Sequence, residues 1–139
     1  MCNVTIKTNQ MKIKAIAIIA FILSLTNVKA QSVFEKWPAL NQFHEVMLQT
    51  FNPSEQGNLA PVKARSEELY TKAAALLKAD IPAEYRTGSI LSLSEKLQVK
   101  SNELNKLVLA KAPDAEISKS LNEVHKIYHE IEGLCSDKK

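Results

Sequence analysis

The stretch Pro113–Cys135, PDAEISKSLNEVHKIYHEIEGLC, decides the fold. Ile117, Leu121, Val124, Tyr128, Ile131 and Cys135 follow one another at steps of four, three, four, three and four. That alternation is the seam of an α-helix packed on other helices, because 3.6 residues per turn bring those positions onto one face. Pro113 suits the first turn, and Asp114 and Glu116 put negative charge at the positive end of the helix dipole. His125 and His129 stand four apart and share a face beside the seam. Glu132 and Cys135 continue that edge at steps of three. The pattern H-x-x-x-H-x-x-E-x-x-C thus aligns nitrogen, oxygen and sulfur donors along the border of a helical core.

Working outward, three earlier segments carry the same rhythm. The first runs from Pro38 to Phe51, with Leu40, Phe43, Met47 and Phe51 on one side and His44 beside them. Pro53 cannot continue a helix and Gly57 suits a turn, so a break is expected over 52–58. The second starts near Asn58 with Pro61 in its first turn, carries the stripe Leu59, Val62, Leu69, Ala73 and Leu76, and ends at Ile81-Pro82. The third runs from Ser89 to Lys111, capped by Thr87 or Ser89, with Ile90, Leu93, Leu97, Leu104, Leu107 and Val108 inward. No run of alternating β-branched residues suggests a strand. Four amphipathic helices joined by connections of about 2–10 residues predict an all-α, antiparallel up-down-up-down four-helix bundle.

Residues 1–30 read differently. MKIKAIAIIAFILSLTNVKA (11–30) has lysines at 12 and 14, an apolar run from Ala15 to Leu25, and Val28-Lys29-Ala30 as a small-residue cleavage site. This is the pattern of a secretory signal peptide. The run is shorter than the ~20 residues that span a bilayer. The expected organisation is an extension plus signal peptide over 1–30 and one helical domain over 31–139. The domain is then periplasmic or secreted, with no membrane attachment once the signal is removed.

Cleavage changes the charge balance. Four of the 18 basic residues and none of the 15 acidic ones lie in 1–30, which leaves 14 basic against 15 acidic residues and a formal charge of −1. Without a basic patch, nucleic acid is not an expected partner. Cys135 is then the one cysteine of the domain, in an oxidising compartment, so a homodimer through Cys135, a thiol or a ligand are the alternatives.

Up-down topology also sets levels. His44 lies six residues into the first helix, about 9 Å along it, and His129 lies six residues from Cys135, about 9 Å from the same end. Met47 and His125 fall at roughly 13–15 Å by the same count. Three imidazoles and a thioether are expected in one slab, a donor set suited to copper, zinc or nickel. His44, His125 and His129 are the expected metal ligands, with Met47 and Cys135 as additions. Glu45, Glu55 and Glu132 are available as further ligands or to orient a histidine. Set against this, a lone half-buried histidine is ordinary, Met47 fits plain core filling, and Trp37 reads as an apolar plug at one end.

Met47 early in the first helix, Ile127-Tyr128-His129 late in the last, and Ile81-Pro82-Ala83 between the hairpins resemble the periplasmic four-helix-bundle cytochromes, soluble cytochrome b and cytochrome c prime. That resemblance implies a b-type haem electron carrier with Met47 and His129 as axial ligands. There is no C-x-x-C-H, so covalent haem attachment is not implied. FHEVMLQTFNPSEQGNL (43–59) with VHKIYHEIEGLC (124–135) is also similar to small exported His-containing bundle proteins, in which a histidine is expected where Asn52 stands. No nucleophile with a base in a recognisable frame, phosphate loop or H-E-x-x-H appears, and the paired E-x-x-H of di-iron bundles is missing. The expected role is binding, not catalysis: a metal ion first, haem b second, a metal-free helical adaptor or stress-response protein third.

Overall fold

The computed structural model describes residues 32–137, and the signal peptide expected over 1–30 lies outside them. The described residues are all-helical, with no strand among them: α1 (Val33–Lys36), α2 (Pro38–Glu55), α3 (Ala60–Lys78), α4 (Gly88–Leu109) and α5 (Asp114–Ser136), plus a 3-10 turn at Ala83–Tyr85. None of these helices is long and apolar enough to cross a membrane.

The described residues hold five helices where four were expected, the added one being the short α1. Ser32 and Glu35 form a capping box that starts α1: the Ser32 hydroxyl accepts from the Glu35 N–H at 3.3 Å, and the Glu35 carboxylate accepts from the Ser32 N–H at 3.2 Å. The break expected at Pro53 is also corrected, since α2 runs through it to Glu55. Pro53 sits in the last turn, where only the bond to the carbonyl of residue 49 is lost. The stop comes from Gly57 instead. At φ 80° it turns the chain so that the Gly57 N–H bonds the Ser54 carbonyl and the Asn58 N–H bonds that of Pro53, a Schellman closure. The other boundaries fall near their signals: the Asn58 side chain accepts from the Ala60 N–H, and the Thr87 hydroxyl from that of Ile90.

The same closure ends α4 with a lysine in glycine's place. The Lys111 N–H bonds the Val108 carbonyl and the Ala112 N–H that of Leu107, with Lys111 at φ 53°. A left-handed L-residue costs about 1–2 kcal/mol, partly offset by glycine's extra freedom in the unfolded chain. Lys111→Gly is therefore expected to stabilise the protein by about 0.5–1 kcal/mol, read as a rise in the urea midpoint at unchanged slope. A lower midpoint would place Lys111 outside the left-handed region.

Each long helix packs on the next, α5 also meets α2, and α1 lies against α2 and α5. Cross-links fix the register. Lys72 reaches Gln42 at 3.0 Å while Arg65 reaches Gln49, so the end of α3 meets the start of α2. Ser66 donates to Asn105 at 2.8 Å, and Lys100 lies 3.6 Å from Glu123. The exposed pairs add little stability, while Ser66–Asn105 is buried, and all of them report which turns face each other.

The core holds the expected stripes: Leu40, Phe43, Met47, Val62, Leu69, Leu76, Ile90, Leu97, Leu104, Leu121 and Ile131 are all buried. Burying such side chains contributes about 1.5–3 kcal/mol each, and this packing of amphipathic faces supplies more of the helices' stability than propensity does. Small residues share the seams of α3 and α4: Ser66, Ala73, Ser94 and Ser101 are buried. Trp37, fully buried between α1 and α2, closes one end and stacks on Tyr85 at 6.3 Å. Its indole Nε1–H and the Ser101 hydroxyl are buried without a hydrogen-bond partner.

Candidate metal centre: an imidazole pair on the α2 and α5 seam

Where α5 passes α2, rings fill the seam. Phe34 of α1 stacks on His44 of α2 at 5.1 Å between centroids and 7° between planes. His44 in turn stacks on Tyr128 of α5 at 5.0 Å and 9°. Phe43 backs Tyr128 at 5.7 Å. Further along, Phe51 lies flat on His125 at 3.6 Å and 14°. Residues 43 and 44 meet 128 while 51 meets 125, so the two helices run in opposite senses here.

His125 and His129 are brought together. Their Nε2 atoms stand 3.0 Å apart with the rings at 84° to each other. The other nitrogen of His129, Nδ1, is 3.0 Å from Glu132 Oε2. Glu132 Oε1 accepts from the Tyr128 hydroxyl at 3.4 Å. One carboxylate therefore orients both a buried phenol and an exposed imidazole, all from successive turns of α5. With Nδ1–H of His129 directed at the carboxylate, its Nε2 carries a lone pair facing His125. At 3.0 Å that lone pair either accepts an N–H···N hydrogen bond from neutral His125 or shares a metal ion with it.

The local electrostatics hold His125 ready for that. Its pKa is lowered, first by burial and then by the neighbouring His129, against the opposing pull of Glu55 and Glu132. Burial, reinforced by Glu132, pushes the Tyr128 phenol well above its ordinary value, so it stays neutral and donates.

The remaining expected ligands are elsewhere. His44 is on the seam, but its ring lies between Phe34 and Tyr128. Met47 has no exposed surface and belongs to the core, and the ring opposite His125 is Phe51, not the Met47 side chain that counting along the axis suggested. Cys135 is 4% exposed and makes no disulfide among the described residues. A disulfide to a second chain needs that turn to open. Glu45 points outward and accepts from Asn41 at 3.1 Å. Among the described residues no group of three His, Cys, Asp or Glu side chains converges to hold a metal ion.

The haem geometry fits poorly. Axial ligation asks Met47 and His129 to face each other across a flat slot, yet the first is fully buried, the second is half exposed, and Phe43, His44 and Tyr128 occupy the seam between their helices. Rings that matter and escape a donor search are Phe34, Phe51 and Tyr128. The signal for Tyr128 was available, since it lies three residues after His125 and directly before His129. No protein-family model, curated protein or solved structure matches the chain.

Proposed function

We propose that this chain is an exported protein that binds a transition metal ion through His125 and His129, with Glu132 orienting His129. The observation that carries the reading is the 3.0 Å separation of the two Nε2 atoms. Nitrogens about 2.0–2.1 Å from one ion stand about 2.9 Å apart at a right angle and about 3.3 Å apart at the tetrahedral angle. The pair therefore already has the bite of a chelate for copper, zinc or nickel. A carboxylate behind the second nitrogen of a ligating histidine is the usual way to fix its tautomer and raise its basicity.

The architecture we propose is the antiparallel up-down-up-down four-helix bundle, with α1 as an N-terminal addition to α2. The cross-links between successive helices support it. Export to the periplasm or beyond is supported by the pattern of residues 11–30 alone. The role is binding and not catalysis. The His44 ring, held between two aromatic rings, serves the seam's packing in this reading, and Met47 and Cys135 serve the core.

Mass-spectrometric metal content and calorimetric titration of the purified protein with zinc, copper and nickel test this. Micromolar or tighter binding that weakens at least 100-fold in His129→Ala is the expected result. Binding unaffected by His129→Ala, or no binding of any of the three ions, would sink it. A Soret band on adding haem, lost in Met47→Leu, would replace it with the haem reading.

A further inference from the structure

The imidazole pair supplies two donors, and a tetrahedral zinc ion takes four. The described residues offer no obvious third. Glu132 uses one oxygen on His129 Nδ1 and the other on the Tyr128 hydroxyl. His44 is stacked between two rings, and Met47 and Cys135 are buried. No cluster of three ligating side chains occurs among the described residues. The His129 side chain is 53% exposed, while His125 lies half-buried against Phe51. On α2, Leu48 is 40% exposed, four residues after His44 and three before Phe51, whose rings stack on Tyr128 and His125 of α5. A half-complete coordination shell and an exposed leucine thus share one face of the molecule.

We propose that a second copy of this chain completes the site, so that His125 and His129 of two α5 helices hold one zinc ion on a two-fold axis. This rests on the metal-binding reading above. A two-fold contact is self-complementary, so an ion on its axis meets the same pair twice, and two pairs make a four-nitrogen shell with no further ligand. The charges make the association depend on the ion. Glu132 stands behind His129, 3.0 Å from its Nδ1, so two facing copies bring two carboxylates close to the shared ion. Without a dication they repel, and with one they are balanced and the imidazoles bridged. Leu48 adds a modest apolar contact at the rim. Zinc takes a tetrahedral four-nitrogen shell, whereas copper(II) favours a flattened one.

Sedimentation equilibrium of the purified protein, in reductant and with zinc as the sole added ion, reads this directly. The expected result is a monomer in chelator, a doubled mass at one zinc per two chains, and reversal on adding chelator again. His129→Ala, at an exposed helical position, should stay monomeric with zinc while its circular dichroism matches the parent. Leu48→Glu should weaken the zinc-dependent dimer about ten-fold without lowering helicity. One zinc per monomer would overturn the pairing and leave the metal site standing. No retained zinc would overturn the pairing, and the copper and nickel titrations would then decide the metal-binding reading by themselves. A dimer that persists in chelator, or that forms only without reductant, would assign the contact to another surface or to Cys135 and overturn the proposal.

Discussion

Tyr128→Ala is expected to lower the unfolding free energy by about 3–5 kcal/mol, the range for removing a fully buried aromatic ring. Tyr128 is 1% exposed and lies against Phe43 and His44, so its loss opens a void at the contact between α2 and α5. Total stability for a domain of this size is about 5–15 kcal/mol, so the change removes about a fifth or more of it and drops the midpoint by more than ~10 °C. Tyr128→Phe separates the ring from the hydroxyl. The bond to Glu132 is long, at 3.4 Å, and its removal should cost only about 0.5–1.5 kcal/mol. Urea unfolding of both variants at constant slope gives the comparison. An alanine variant within ~1 kcal/mol of the parent would mean that the ring is not buried between the helices.

Why some of this was legible and some not follows from the period of a helix. Ile117, Leu121, Val124, Tyr128, Ile131 and Cys135 were readable as a buried seam because apolar spacing and burial are two views of the same geometry. Counting along the axes put His44 and His129 at one height, and His44 does lie on Tyr128, the residue before His129. Axial counting fixes height and leaves rotation open. It therefore paired Met47 with His125, while the rotation of α2 sends Met47 into the core and turns Phe51 onto the imidazole. Pro53 misled for a related reason. A proline one turn before a helix end removes one bond, and the left-handed Gly57, equally visible in the sequence, is the stronger stop. Ser32 and Glu35 carried the capping-box spacing that announces α1, but they stand so close to the expected cleavage point that the segment reads as a tail. The ring stacking that parks His44 depends on three elements at once, and no local pattern encodes it.

On the proposed metal-binding reading, zinc at about 100 times its dissociation constant should raise the unfolding free energy by about 2.7 kcal/mol, because the unfolded chain has no preformed imidazole pair. That increment depends on pH through the same nitrogen atoms. Metal and proton compete for the Nε2 lone pairs, so acid weakens binding. In the metal-free protein the folded pKa of His125 lies below its ordinary 6.5, chiefly through burial. Between that lowered value and 6.5 the unfolded chain binds more protons than the folded one, so stability rises with pH in this window. The contribution from His125 is complete above about 6.5, is lost as pH falls through its folded pKa, and changes no further below it. Thermal unfolding with zinc or with chelator, from pH 8 down to pH 5, should show a large zinc increment at the upper end that shrinks steadily toward the lower. His125→Gln, which keeps a flat polar group against Phe51, should lose the increment at every pH and flatten the metal-free slope. An increment that survives at pH 5, or in His125→Gln, would mean that zinc stabilises the protein at a site other than the imidazole pair.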